Sequence, residues 1–215
     1  MNPRPDAQAR THVGPQARAQ VSAREHRPTL ERTLLIRDAK FDVERVDFVS
    51  SRGDPISRTV VRHPGSVVLV PMPTPDRVVL IRTYRPALDA WNWEFPAGTR
   101  GPDEPYDDCA RRELAEEIGA AAATLTEIAR FHPGPGMTDE LMKVYLATSI
   151  TMGSQHLEPD EDIRPVEMHT HDLERMIDTA DIIDAKTIAA WHITRRYLDR
   201  HRHDGPRATP GSVAP

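Results

Sequence analysis

The sequence predicts an α+β sandwich. Alternating and β-branched runs precede a single central helical pattern, further strand-like runs follow it, and a long helical pattern closes the sequence before its proline-rich end. A doubly wound parallel sheet would alternate strands and helices along the chain, so strands grouped on both sides of one helix favour the α+β class. The 215 residues suffice for one large domain with extended ends.

The strands before the central helix are predicted from their alternation and their β-branched residues. Turn residues at 52–55 separate the first two strands. The proline-rich stretch 71–76 predicts a hairpin loop between the last two strands, within a mixed sheet. The predicted strands are 41–49, 56–63, 65–72 and 77–84.

The central helix is predicted at residues 105–118. Pro105 is typical of a first helical turn, Asp107 and Asp108 are favourable at a helix N-terminus, and Gly119 is typical of a C-cap. The remaining elements are the strands 125–131, 142–150 and 163–169 and a terminal helix 185–201.

Composition limits the other classes of protein. Residues 1–30 and 204–215 have little apolar area, so we expect disordered tails there. The net charge of −5 disfavours a nucleic-acid binder, and no apolar run approaches the roughly 18 residues of a membrane span. The single cysteine excludes an internal disulfide framework, and we expect a cytoplasmic protein.

The central helix gathers carboxylates on one face. At 100° per residue from Ala110, Glu116, Glu113 and Glu117 fall at about 240°, 300° and 340°. Leu114 and Ile118 form an apolar stripe that we expect to face the core. A hard divalent cation would turn the mutual repulsion of a half-exposed carboxylate cluster into attraction. The alternative is a solvated acidic face on which Arg112 pairs with Glu116.

This stretch resembles the Nudix box, G-x5-E-x7-R-E-U-x-E-E-x-G-U. The matching residues are Gly98, Glu104, Arg112, Glu113, Leu114, Glu116, Glu117 and Gly119. One departure is Ala120, where the family has a bulky aliphatic residue. The resemblance implies a Nudix α/β/α sandwich with a mixed sheet at 64–203, preceded by a small N-terminal β-strand subdomain at 31–63. It also implies hydrolysis of a nucleoside diphosphate linked to another group.

The resemblance further implies a metal site for Mg²⁺, or for Mn²⁺. Glu113 and Glu117 would be the main ligands, Glu116 an additional one with a catalytic role, and the backbone carbonyl of Ala97 would complete the site. Arg112, also counted as catalytic, would orient the carboxylates. Glu104 would support the loop electrostatically rather than bind the metal.

Other segments are similar to the ADP-ribose pyrophosphatases of this family. Their P-G-x-[ST]-[DE]-E segment has a marker proline about sixteen residues past the second box glycine, and Pro135 lies sixteen residues after Gly119. The segments at 82–85, 93–98 and 58–65 match that group's R-x-Y-R, W-E-x-P-A-G and R-x-V-V-x-H-P-G. Hydrolysis of ADP-ribose to AMP and ribose 5-phosphate is therefore the expected reaction.

Six residues are predicted to bind the substrate. Arg58 and Arg85 either form surface ion pairs or clamp the diphosphate, for which the guanidinium fork is suited. Phe48 would stack on the adenine. The full set is Arg58, Arg85, Glu94, Phe48, Gly136 and Met137.

The general base is expected on the acidic loop 154–162. The Nudix family places a mobile carboxylate on a long loop before a strand, and this loop precedes the strand predicted at 163–169. We predict Glu161 as the base with Glu158 in reserve. The alternative is a solvated acidic loop, because its four acids cannot all be catalytic.

The remaining candidates have structural interpretations. Trp91 and Trp93 share one strand face and are expected in the core. His169 and His171 would also share a strand face, but no third ligand accompanies them in the sequence. Cys109 is expected to be a packing residue, since nothing pairs it with a base.

The expected partner is a small nucleoside diphosphate sugar, with no nucleic acid and no membrane. Two alternatives are hydrolysis of another such sugar, for example GDP-mannose, and a non-catalytic ADP-ribose-binding Nudix sensor. Such sensors commonly lose box glutamates, whereas every one is present here. The resemblance also implies a homodimer in which the N-terminal strands complete the neighbour's adenosine pocket.

Overall fold

The computed structural model describes residues 27–157 and 162–202. Within these residues no helix is long and apolar enough to cross a membrane. The strands are β1 Glu31–Arg37, β2 Asp42–Val49, β3 Pro55–Arg62, β4 Ser66–Met72, β5 Arg77–Arg85, β6 Ala90–Glu94, β7 Ala97–Thr99, β8 Ala120–Phe131, β9 Met142–Met152 and β10 Ile163–His169. The helices are α1 Tyr106–Ile118, α2 Thr170–Asp178 and α3 Ala185–Arg202.

The chain divides into two compact units. The smaller one contains the described residues 27–33 and 45–59, and the larger one contains 34–44 together with the described chain from residue 60 onward. The strands β1, β2 and β3 form a three-stranded sheet in that order. All elements from β4 to α3 belong to the larger unit.

The larger unit is built on two sheets. One has the order β7-β4-β9-β8 and is mixed, because β4 runs parallel to β9 and antiparallel to β7. The other has the order β10-β5-β6, and all its neighbours are antiparallel. The predicted mixed sheet is confirmed.

Two apolar clusters show that helices cover the strands from both sides. Val68 of β4 and Leu80 of β5 pack in one cluster with residues of α2 and α3, such as Leu173 and Trp191. Their sequence neighbours point the other way and pack in a second cluster with α1, whose contributions include Leu114. Successive strand residues face opposite sides, so each strand serves both clusters. The α/β/α sandwich is confirmed.

The helix α1 ends at Gly119 because only glycine fits there. Its φ is 63°, and its N–H bonds to the carbonyls of Ala115 and Leu114. A Cβ at this position would lie 2.6 Å from the carbonyl carbon of Ser154. The predicted C-cap and the predicted core-facing stripe of Leu114 and Ile118, each 1% exposed, are confirmed.

The predicted hairpin between β4 and β5 is wrong. The two strands belong to different sheets, β4 pairing with β7 and β9, and β5 with β6 and β10. The physical reason is burial, since β4 is buried on both faces and β5 over its apolar centre. Strands that are apolar on both faces show no alternation, so their sequences do not reveal their neighbours.

The helix α2 was not predicted, and it changes the interpretation of the histidine pair. His169 is the last residue of β10, while His171 lies in α2, so the shared strand face is wrong. Their rings stack with centroids 5.1 Å apart. Leu173, Met176 and Ile177 stand at helical spacing and pack in one apolar cluster, so a helical signal was present in the sequence but spans only one turn.

Candidate functional site

One cavity of about 1050 Å³ in the larger unit is lined by six of the predicted site residues. Its lining includes the turn after β1 and the start of β2, the end of β3, the end of β5, β7 with the loop that follows it, one face of α1 and the start of β10. The predicted residues among its lining are Arg85, Ala97, Arg112, Glu113, Glu116 and Glu117.

Arg112 donates hydrogen bonds to three of the glutamates that line this cavity. Its Nη1 donates to Glu113 Oε1 at 2.7 Å and to Glu116 Oε2 at 2.8 Å. Its Nε and Nη2 form a fork onto Glu104 at 2.8 and 3.0 Å, and Nη2 also donates to the carbonyl of Thr99 at 3.2 Å. The guanidinium therefore ties α1 to the loop that follows β7.

The charges of this cluster shift the pKa values of its members. The hydrogen bond from Arg112 lowers the pKa of Glu104 from 4.5 to about 2. The bond to Glu104 in turn raises the pKa of Arg112. Burial raises the pKa of the Cys109 thiol to about 12, so this cysteine is a packing residue in the core of α1, as expected.

The box carboxylates are less exposed than expected. Glu113 is 6% and Glu117 3% exposed, so the half-exposed cluster is wrong for these two, while Glu116 keeps 30% of its side chain exposed. The backbone N–H of Ala97 donates to Glu117 Oε2 at 2.8 Å. The carboxylate of Glu113 lies against Gly98, where a Cβ would be 1.8 Å from its Cδ. The strand β7 therefore packs directly on the acidic face of α1.

The residues present fit a divalent cation by donor type and by place. Carboxylate and backbone carbonyl oxygens are the hard donors that Mg²⁺ prefers, and Ala97, Glu113, Glu116 and Glu117 line the same cavity. Across 27–157 and 162–202, no three His, Cys, Asp or Glu side chains are grouped closely enough to hold a metal ion. Glu113 and Glu116 instead share the guanidinium of Arg112.

Arg85 lines the cavity and also forms an ion pair with a buried carboxylate. Its Nε and Nη2 donate to the two carboxylate oxygens of Glu94 at 2.9 and 2.7 Å. Glu94 is 1% exposed and also accepts a hydrogen bond from Lys186. Of the two interpretations left open for Arg85, the ion pair is present, although with a buried partner, and the guanidinium still lines the cavity.

This pair predicts a dependence of stability on pH. Burial alone would raise the pKa of Glu94, but the hydrogen bond from Arg85 and the charges of Lys186 and Arg85 outweigh it and lower the pKa from 4.5 to about 2. A carboxyl whose pKa is lower in the folded state stabilises the fold above pH 4.5, and this stabilisation is lost as the pH falls toward 2.

We therefore expect the Glu94→Gln variant to be less stable than wild type at neutral pH and nearly as stable as wild type in acid. The difference in unfolding free energy between wild type and Glu94→Gln should narrow by about 2 kcal/mol between about pH 5 and pH 3. Urea unfolding followed by circular dichroism at each pH measures it. A difference that stays constant over this range would show that the ionised carboxylate does not stabilise the fold.

Gly136 and Met137 lie in the loop between β8 and β9, and neither is among the residues lining the cavity. Met137 is 63% exposed, and its carbonyl accepts the N–H of Val61 at 2.8 Å. Asp139 in the same loop accepts the N–H of His63 at 2.9 Å. The loop is therefore fastened to the end of β3, and its role in substrate binding stays a prediction.

Two predicted residues, Phe48 and Arg58, belong to the smaller unit. Phe48, in the smaller unit, lines a cavity of about 390 Å³ there, and Arg58 of the same unit donates to the carbonyl of Ser57 at 2.9 Å. Glu158 and Glu161 fall outside the described residues. Asp162, the residue after Glu161, lines the large cavity.

Two residues at the start of α3 that support the ion pair, Asp184 and Lys186, were not predicted from the sequence. Asp184 Oδ2 accepts the N–H of Thr187 at 3.0 Å and the ammonium of Lys186 at 3.0 Å. An aspartate just before a helix is a recognisable N-cap signal. The approach of Lys186 to Glu94, 92 residues earlier in the chain, has no local signal.

Comparisons with known proteins identify the family of this chain. The NUDIX domain family matches residues 62–191. The ADP-ribose pyrophosphatase of Bacillus subtilis (strain 168) is 29% identical over 75% of this chain and 89% of its own length. The GDP-mannose pyrophosphatase of Escherichia coli O1:K1 / APEC is 27% identical over 74% of this chain and 91% of its own length.

A solved structure agrees as well. The crystal structure of an ADP compounds hydrolase superposes with a TM-score of 0.69 and 25% sequence identity, over 82% of this chain and 96% of that chain. The family match covers more than half of the sequence and includes the whole box from Gly98 to Gly119. The chain therefore belongs to the NUDIX family, as a pyrophosphatase hydrolase that resembles the ADP-ribose pyrophosphatases.

Proposed function

We propose that the chain hydrolyses ADP-ribose to AMP and ribose 5-phosphate in a Mg²⁺-dependent reaction. The observation that carries the proposal is that the box glutamates, the backbone of Ala97 and the guanidinium of Arg85 line one cavity. Nudix hydrolases generally use divalent metal ions and act on small nucleoside diphosphate compounds. Mn²⁺ is the expected substitute for Mg²⁺.

The reaction adds water across the diphosphate. The water oxygen bonds to one phosphorus, the bridging oxygen leaves with the other, and a proton passes from the water to a base. A bound divalent cation would neutralise the diphosphate oxygens and lower the pKa of the attacking water. Glu113, Glu116, Glu117 and the carbonyl of Ala97 would hold it.

Arg112 fixes the carboxylates that this chemistry needs. It holds Glu113 and Glu116 by one nitrogen and is itself held by Glu104 through a fork. Because the Arg112 guanidinium and the Glu104 carboxylate are both charged, the hydrogen bonds between them are stronger than those between neutral groups. We assign Arg112 the task of keeping the two carboxylates in place between turnovers.

Glu161 is the proposed base, with Glu158 as the second candidate. The supporting observation is that Asp162, at the end of the same acidic loop, lines the cavity. A carboxylate on this loop would need only to reach the attacking water. Comparing Glu161→Gln with Glu158→Gln distinguishes the two candidates.

Substrate recognition is assigned to basic and aromatic groups. Arg85 would bind the diphosphate with the part of its guanidinium that Glu94 does not occupy, and Glu94 would act by orienting Arg85. We keep Phe48 as the residue that stacks on adenine, Arg58 as a diphosphate ligand, and the loop of Gly136 and Met137 as part of the pocket.

A homodimer is proposed through the N-terminal strands. β1 lies at the edge of its sheet within the described chain, and the side chains of Leu34, Leu35 and Ile36 are 45%, 48% and 59% exposed. Consecutive exposed aliphatic residues on an edge strand favour pairing with another chain. Sedimentation equilibrium should give about twice the mass of the chain.

Hydrolysis of a different nucleoside diphosphate sugar is the second candidate. It is favoured by the similarity to a GDP-mannose pyrophosphatase over 74% of this chain. The box binds the diphosphate rather than the base, so it does not discriminate between the two substrates.

A substrate panel tests the proposal. Phosphate-ester products are measured with ADP-ribose, GDP-mannose and NADH, each with Mg²⁺ and with EDTA. We expect the highest kcat/KM for ADP-ribose, with AMP and ribose 5-phosphate as products, and no turnover in EDTA. Preference for GDP-mannose would replace the substrate assignment, and ADP-ribose binding without turnover would support a sensor.

A further inference from the structure

The ion pair of Arg85 and Glu94 belongs to a longer chain of charges around the buried carboxylate of Glu94. Glu94 accepts the fork of Arg85 on one side and the ammonium of Lys186 on the other. Lys186 also donates to Asp184 Oδ2 at 3.0 Å. Cations and anions therefore alternate, so each buried charge has a partner of opposite sign, as burial of charges demands.

At the end of this chain of charges away from the cavity, Asp184 is held in place by hydrogen bonds to the start of α3. Asp184 accepts both the N–H of Thr187, at 3.0 Å, and its hydroxyl, at 2.7 Å. The hydroxyl oxygen of Thr187 accepts the N–H of Phe95 at 2.8 Å. The helix start is thereby bonded to the end of β6, immediately after Glu94, and Lys186 lies between these two fixed points.

The near end of the chain of charges faces the cavity. The side chain of Arg85 is 41% exposed, whereas those of Glu94 and Lys186 are 2% and 14% exposed. The bonds to Glu94 engage Nε and Nη2, and Nη1 is on the remaining edge of the guanidinium. The hydrogen bond to Glu94 is the main cause that raises the pKa of Arg85, and the negative charge of Glu117 adds to it. Arg85 therefore lies within electrostatic range of a proposed metal ligand.

We propose that Lys186 is a positioning residue for Arg85: by holding the carboxylate of Glu94 from the α3 side, it fixes the guanidinium on the cavity wall for a substrate diphosphate. This inference rests on the proposed function of the cavity. Lys186 itself is not among the lining residues, so it acts through Glu94 and Arg85.

The expected benefit of this arrangement is preorganisation. A long arginine side chain loses rotamer freedom when it is immobilised by a ligand, and this loss weakens binding. A guanidinium already held as a fork loses less freedom when the substrate arrives. Lys186 should therefore lower KM and have little effect on kcat.

The test compares Lys186→Met with Lys186→Arg, which keeps the charge and the donors. We expect Lys186→Met to raise KM for ADP-ribose by about five- to tenfold with kcat within about twofold of wild type. Lys186→Arg should restore most of the affinity. Lys143→Met is the matched control. The Lys143 side chain is 19% exposed and its ammonium lies 2.6 Å from Glu127 Oε2, and neither residue lines the cavity.

A double variant separates positioning from a merely structural role. If Lys186 acts through Arg85, Lys186→Met should add no further increase in KM to Arg85→Met. Additive effects, or a KM of Lys186→Met within twofold of wild type, would overturn the proposal. If Lys186→Met does not fold, Lys186→Gln, which keeps a donor, is measured by the same criteria.

The proposed function and this inference fail in different ways. If wild type does not hydrolyse ADP-ribose, the proposed function is wrong. The dissociation constant of inorganic pyrophosphate, measured by calorimetry in EDTA, then replaces KM in the same set of variants. An unchanged pyrophosphate constant in Lys186→Met would refute the positioning role independently of the substrate.

Discussion

Replacing Glu117 by glutamine is expected to reduce kcat by at least about a hundredfold while the fold is retained. Glu117 is 3% exposed, and its Oε2 accepts the N–H of Ala97. The amide oxygen of glutamine can accept the same hydrogen bond, so the contact between α1 and β7 is kept. What is lost is the negative charge, which a hard divalent cation needs from its ligand.

The measurement is steady-state turnover of ADP-ribose together with calorimetric titration of Mn²⁺ into the protein. We expect weakened or undetectable Mn²⁺ uptake and an unfolding temperature near that of wild type. Glu127→Gln is the matched control, because Glu127 pairs with Lys143 on β9 and is not among the cavity residues. Near wild-type turnover by Glu117→Gln would contradict its assignment as a metal ligand.

The central helix and its carboxylates could be predicted because all their signals are local. Helical spacing alone places Glu113 and Glu117 on adjacent parts of one face, and Gly119 marks the end of the helix. What spacing could not predict is the burial of these carboxylates, which depends on β7. Ala97 and Gly98 cover the acidic face, and this contact joins residues that are distant along the chain.

Seven of the ten strands in the described residues were predicted as elements, whereas β1, β6 and β7 were not, and the predicted strands did not always have the correct neighbours. β4 and β5 are each about as long as predicted, yet they lie in different sheets. β4 pairs in parallel with β9, about 75 residues later in the chain. A sequence pattern reports whether a residue is buried, and burial on both faces is compatible with several neighbours.

The same limit explains the missed part of the site. Arg85 and Glu94 were singled out because they lie in motifs of the ADP-ribose pyrophosphatase group. Lys186 lies in no such motif, and its contact with Glu94 joins residues that are 92 positions apart in the chain. Once Glu94 has Arg85 as a partner, nothing in the sequence indicates that a second cation also binds its carboxylate.

Replacing Gly98 by alanine is expected to reduce turnover about as strongly as removing a ligand, although no ligand is removed. A Cβ on Gly98 would lie 1.8 Å from Glu113 Cδ and 1.9 Å from its Oε1. Atoms that are not bonded to each other do not approach this closely, so the carboxylate of Glu113 must move. Since the obstructing group is the end of a flexible side chain, the backbone of β7 has no need to shift.

The displaced carboxylate should weaken both of its roles. Glu113 would leave its bond to Arg112 and its place among the proposed ligands, so we expect kcat to fall by at least about a hundredfold and Mn²⁺ uptake to weaken. Glu127→Gln is again the control, because Glu127 pairs with Lys143 and is not among the cavity residues. Equal activity in both variants would mean that turnover does not depend on where Glu113 lies, and the proposed metal site would then have to exclude it.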